Sequence, residues 1–218
     1  MLKQAKTVMH ISSHNTVLGS CCSHTSSTKV YQLTRWVILV GVLATSLSLS
    51  QLGWVYAKGY VADRLIARAW QQTQEDRQAH APWSWADTFP LATITIAGQS
   101  QIILSNASMR NLAFGVSADS GREPSDFANQ MRIGLENVHL FGHNDTHFSV
   151  LTNMQKGDVI ELATLDDVYR FEVHAIAKIH EQDTHILSGH GSGSLTLITC
   201  DEGVWRRVYF AQRFNNSL

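Results

Sequence analysis

The sequence predicts an all-β domain, closed into a barrel or folded as a sandwich, behind a single N-terminal membrane-spanning helix. Two observations carry this. From Leu91 onward, β-branched and apolar residues recur in short runs separated by Gly, Asp and Asn. Ahead of them, Trp36 to Ala57 (WVILVGVLATSLSLSQLGWVYA) holds no charged residue and matches the roughly 20 residues with which an α-helix crosses a hydrocarbon core. A chain of 218 residues has room for one ordinary domain plus added segments.

The elements follow in order. Residues 1–35 read as a cytoplasmic tail, rich in Ser, Thr and His and without periodicity up to residue 30, as in a disordered segment. Residues 36–57 are the transmembrane helix. Trp36 lies at one end, with Trp54 and Tyr56 at the other, where amphipathic rings meet the two interfaces. Lys3, Lys6, Lys29 and Arg35 precede it with no acidic residue. The positive-inside tendency therefore puts the N-terminus in the cytoplasm and the chain from Lys58 outside. A cleaved signal peptide is the rival reading, but residues 1–35 are far too many for its charged n-region. A buried core helix is the plainer alternative, opposed by the length and the lack of charge. Cys21 and Cys22 are close enough to the span for lipidation, on proximity alone.

Residues 58–81 place Val61, Leu65, Ile66, Ala69 and Trp70 at helical spacing, which predicts a helical stalk holding the domain off the membrane. Pro82 and Pro90 then break helical structure. Between them Trp83, Trp85 and Phe89 predict a strap packed on the domain, which is taken to run from 82 to 218. About seven strands follow: LATITIAG, QSQIILS, VHLFG, DVIELAT, YRFEVHAIAKI, SLTLITC and RRVYFAQRF, with turn signals in NMQKGD and LSGHGSGS and little helix beyond Ala107–Phe114.

Composition narrows the function. A formal net charge of −1 lacks the clustered basic face of a nucleic-acid binder. Three cysteines, two of them adjacent, cannot form a small-domain disulfide framework, and Cys200 is the one thiol of the β domain. A lone cysteine is more often a small buried hydrophobe than a catalyst. Cys200, however, ends an apolar strand where the polar turn DEG begins, a place where a thiol meets solvent. A nucleophilic thiol needs a neighbouring cation, and Arg206 and Arg207 return on the next strand. A solvated arginine pair at an edge is the alternative. For an imidazole, the richest run is VHLFGHNDTHF, with His139, His143 and His147 four apart. That spacing also suits metal ligands, but no further Cys or Glu stands at metal-motif spacing and LFG opposes a helix. No cofactor and no metal site are therefore assigned. His143 follows Gly142, and a glycine there allows close approach of a neighbour. His174, His180, His185 and His190 scatter along strands and loops and read as structural or solvated.

Taken together, TLITC (196–200), GHNDTHF (142–148) and GVWRRVYFA (203–211), in the order His, Cys, Arg, resemble a sortase, specifically the sortases of Gram-negative bacteria. KGDVIEL (156–162) and PWSWADTFP (82–90) support the likeness, which runs from about Tyr60 to the C-terminus. The resemblance implies a closed β-barrel of about eight strands with few short helices. It implies a cysteine transpeptidase with Cys200 as nucleophile and His143 as acid/base. Counting from the glycine and from Ala211 points to Arg206 as the arginine, with Arg207 left open because the turn after Cys200 is short. Thr199 matches a substrate-holding position, and Arg207, Asp145 and Thr146 stand as further substrate-side candidates. The implied partners are a protein bearing an LPxTG-like sorting signal and an amine acceptor on the cell envelope. The enzyme would sit in the bacterial inner membrane by one span, its catalytic domain extracytoplasmic. A hydrolase with the same dyad, a metal enzyme using the three histidines and a non-catalytic β-barrel binding module are the competing classes.

Overall fold

The computed structural model describes residues 25–119, 121–134, 137–185 and 193–214. The expectations for the first 24 residues, for Cys21, Cys22 and His190, and for the LSGHGSGS turn fall largely or wholly outside them. The chain divides into two units, 1–53 and 54–218.

The first unit carries the start of helix α1, Thr25–Asp76, which begins inside the segment read as tail. Its apolar side chains, Trp36, Leu39 and Leu43 among them, are exposed. The hydroxyls that dilute the stretch are satisfied within the helix. Thr45, Ser46, Ser48 and Ser50 each donate to a carbonyl three or four residues earlier, which is how such residues are tolerated in lipid. By length and composition α1 is a candidate membrane span.

In the second unit α1 is no free stalk. Ala62, Ile66, Ala69, Trp70 and Thr73 are buried, a helical stripe of the kind that packs on a core. The compact domain therefore starts well before Pro82, because residues 62–73 contribute to its interior.

Eight strands close into a barrel: β1 (Pro90–Ile96), β2 (Gln99–Leu104), β3 (Val116–Ala118), β4 (Val138–Gly142), β5 (Val159–Ala163), β6 (Val168–His180), β7 (Ser194–Cys200) and β8 (Trp205–Arg213), in spatial order β1-β2-β3-β4-β7-β8-β6-β5. The β2–β3 and β4–β7 pairs are parallel and the others antiparallel. Leu91, Ile94, Ile103, Leu140, Phe171 and Leu197 fill the main core. Sequence reading missed one helix, α2 (Pro124–Ile133). Its signals are Pro124 in the first turn and Gly134 just past the end, at φ 68°. Pro124, Phe127, Ala128 and Met131 mark its buried side, too few to outweigh the polar residues between them.

A bulge in β6 shapes the site. Pairing with β8 skips His174, running Val173↔Ala211 and then Ala175↔Phe210. The extra residue flips the alternation. Tyr169, Phe171 and Val173 face the main core, whereas Ala175, Ala177 and Ile179 pack with Ile198, Val208 and Phe210 in a second apolar cluster. Phe141 of β4 joins that cluster, which occupies the opposite face of strands β4, β7, β8 and β6.

Across the barrel, the buried Tyr209 hydroxyl donates to the Leu151 carbonyl at 2.7 Å. Tyr209→Phe removes that bond while the Leu151 carbonyl keeps the Met154 N–H, and should cost about 1 kcal/mol, seen as a lower urea midpoint with an unchanged m-value.

Candidate active site

Register alone brings the three motif residues together. In the parallel β4–β7 pair, Gly142 lies beside Thr199, so His143 and Cys200 are the next positions on strands about 4.8 Å apart. In the antiparallel β7–β8 pair, Cys200 lies directly opposite Arg206, and directly opposed residues share a face. On that face the pairs stack in rows: Phe141, Ile198, Val208 and Ala177 in one, Cys200, Arg206 and Ile179 in the next. His143 follows directly past the end of β4. The second apolar cluster therefore begins in the Cys200 row with Ile179 and continues through the rows beneath it.

The same parity separates the two arginines. Arg207 lies opposite Thr199, on the inward side with Tyr209. There it donates to Asp201 at 3.3 Å. Its hydrogen bond with the Tyr209 hydroxyl, foremost, and the nearby Asp201 charge hold its guanidinium above the usual arginine value. Asp201 also meets Lys178 at 3.1 Å, and that hydrogen bond is the main reason its carboxyl is held below the usual range. Arg206 instead reaches Glu181 at 2.6 Å and the carbonyls of Gly203 and Trp205 at 3.1 and 3.0 Å. Among the described residues, three of the five guanidinium N–H groups are thus engaged. Glu181, Asp201 and Lys178 escaped the sequence reading. Glu181 lies 25 residues from Arg206, and no local pattern connects them.

Cys200 is a free, exposed thiol. The turn after it is short because Asp201 N–H donates to the Trp205 carbonyl and Trp205 N–H to that of Glu202, with Gly203 at φ 60°. Glycine takes that left-handed conformation at little cost. Thr199 is buried, and its hydroxyl donates to the Gly142 carbonyl at 2.8 Å, tying the ends of β7 and β4 together.

Gly142 does allow a close approach, and the neighbour is Phe148. A Cβ on Gly142 would lie 2.7 Å from the Phe148 ring. The loop between them is closed by Phe148 N–H donating to the His143 carbonyl at 2.8 Å. Asn144, Asp145 and Thr146 are exposed on that loop, and the Thr146 carbonyl accepts from Ser149. Burial, reinforced by His143, pushes the His147 imidazole below its ordinary 6.5, against the opposing pull of Asp63 and Asp145. His139 pairs with Asp119 at 3.0 Å. Among the described residues, no three His, Cys, Asp or Glu side chains gather in a metal-binding arrangement.

The class is a closed eight-stranded β-barrel in which a thiol, an imidazole and a guanidinium lie at neighbouring strand ends. A family model described as Sortase domain matches residues 93–214, more than half the chain, and the chain belongs to the sortase family. Sortase A of Bacillus anthracis is 31% identical over 72 residues, covering 31% of this chain and 34% of that protein. The matched region thus spans well under two thirds of that relative. Among solved structures, sortase A from Corynebacterium diphtheriae aligns with a TM-score of 0.51 and 22% identity over 60% of this chain and 63% of its own. A Clostridium perfringens sortase D5 transpeptidase aligns at 0.53 and 18% over 72% and 99%. At these identities the structures establish the shared fold.

Two expectations follow. Gly142→Ala should displace Phe148 and cost about 1–3 kcal/mol by overpacking, measurable by chemical unfolding and as a shift of the His143 imidazole signals in NMR. For His147 the sign is set by its depressed folded-state value. Its contribution is complete above the unfolded value of 6.5 and is lost as pH falls below it, because the unfolded chain takes up the proton first. His147→Gln should therefore flatten the fall in melting temperature below that pH.

Proposed function

We propose that this protein is a membrane-anchored cysteine transpeptidase of the Gram-negative sortase kind, cleaving an LPxTG-like signal between Thr and Gly. The observation that supports the reading is Cys200 directly opposite Arg206, with His143 following Gly142, the partner of Thr199. The Cys200 sulfur attacks the Thr carbonyl carbon, and the carbonyl electrons move to oxygen. Arg206, whose guanidinium has five N–H donors of which three are engaged among the described residues, suits that oxyanion. Collapse breaks the C–N bond, His143 donates its proton to the leaving Gly amine, and a thioester remains. An acceptor amine then attacks the thioester and gives its proton to His143. The sulfur leaves, completing a new amide.

Ile198, Val208 and Phe210 are themselves buried and stiffen the strands that carry Cys200 and Arg206. Thr199 acts from beneath: its hydroxyl holds Gly142 and so keeps His143 beside Cys200. Arg207, facing inward with Asp201, supports the strand end. Asp145 and Thr146, exposed after His143, are placed to border the signal. The anchor is the apolar stretch of α1, a single span of the bacterial inner membrane with the barrel extracytoplasmic. The acceptor is an amine of the cell envelope.

Mass spectrometry of the full chain in detergent with an LPxTG-type peptide tests this. A thioester adduct on Cys200 that passes to an added amine is the expected result, and release to water alone whatever the amine would make the protein a hydrolase. Cys200→Ala should form no adduct. Arg206→Ala should lower kcat about 100- to 1000-fold, the range for loss of an oxyanion donor, with Arg207→Ala far milder. An unmodified Cys200 in the folded protein across varied signals would leave a binding module instead.

A further inference from the structure

At the start of the second unit the chain forms an apolar groove that the chemistry above does not use. Trp54, Val61 and Leu65 of α1 form one side, and Trp83, Trp85 and Phe114 the other. The cavity is about 620 Å³, within the range of small-molecule sites. Its aromatic wall is built: Trp83 meets Trp85 at a tilt with ring centroids 5.3 Å apart, and Phe114 edge-on at 5.1 Å. Yet Trp54, Val61 and Trp85 are left 62%, 53% and 68% exposed, and a contiguous apolar surface of this kind marks an interaction site.

Its position along the chain indicates what covers it. Trp54 and Ala57 belong to the last turns of the charge-free stretch, and Lys58 is the first charge beyond it. From Trp54 to Leu65 the helix rises about 16 Å, which spans the headgroup layer of the leaflet at that end of the anchor. Lys58 is the one charged side chain among the described lining residues, and its Nζ lies over the Trp54 ring at 5.0 Å. Indole rings with an ammonium at the rim suit the boundary between acyl chain and phosphate.

We propose that this groove binds an anionic phospholipid from that leaflet, one acyl chain lying between α1 and the Trp83–Trp85 strap and the phosphate meeting Lys58. The bound lipid fastens the strap to the helix at the bilayer surface. The proposal rests on the reading of α1 as an anchor, and its test separates the two.

The full chain is reconstituted in nanodiscs of phosphatidylcholine, with or without phosphatidylglycerol, the acyl chains brominated near the headgroup. The emission of Trp85 is taken as the difference between wild type and Trp85→Phe, and that of Trp36 as the difference from Trp36→Phe. Bromine should quench both. Trp85 quenching should be stronger with phosphatidylglycerol, and Lys58→Glu should raise the phosphatidylglycerol fraction for half-quenching about fivefold or more, on the scale of a basic residue at an anionic surface. Trp36 should be unaffected by that substitution. A quenched Trp36 with an unquenched Trp85 would rule out the groove and leave the anchor standing. Neither quenched would overturn anchor and groove together. Equal Trp85 quenching in both lipids would overturn the anionic assignment.

Discussion

If β7 slipped by one residue against β8, Cys200 would face Arg207 or Trp205 instead of Arg206, and every side chain on the strand would exchange inside for outside. The site depends on that slip not occurring. The barrel prevents it several times over. Leu195 and Leu197 are wholly buried in the core, the turn between Asp201 and Trp205 fixes the hairpin, and Thr199 bonds across to Gly142 on the parallel neighbour. The parallel β4–β7 pair does what a hairpin cannot: it lets two strands end side by side and releases His143 and Cys200 at the same edge.

A second constraint lies in the bulge at His174. Without it, Ala175, Ala177 and Ile179 would stay on the face of Phe171 and Val173, and no apolar surface would extend beneath the Cys200 row on the β6 side. One unpaired residue gives the barrel wall two apolar faces, one packed in the main core and the other in the second cluster. The paired charges around the strand ends are arranged with similar economy. Asp201 engages Arg207 and Lys178 on the inward side, whereas Glu181 engages Arg206 on the other. Exposed pairs of this sort contribute little to stability, so their value lies in fixing where each guanidinium stands.

The helix that precedes the barrel has two characters in one element. From Trp36 to its last charge-free turns it is mostly apolar and its described side chains are exposed, as in a span in lipid. From Ala62 to Thr73 it buries a narrow stripe in the domain. The change of character falls near Trp54, where the groove against the Trp83–Trp85 strap begins.

The sequence by itself determined much of this protein. Alternation in the strand runs specified an all-β domain because a period of two has one buried-face solution. The absence of charge from Trp36 to Ala57 specified a membrane-length helix. TLITC and GHNDTHF marked Cys200 and His143 because both sit where an apolar run meets a turn. Other features were decided only by tertiary structure. The stalk became part of the domain because its stripe found a core to pack on, and α2 formed from a short segment whose local signals were weak. The distinction between Arg206 and Arg207 could not be drawn from adjacent identical residues, since it depends on which faces Cys200 across the sheet. The partnership of Arg206 with Glu181 was equally hidden, because register and closure are relations between distant segments that no local spacing encodes.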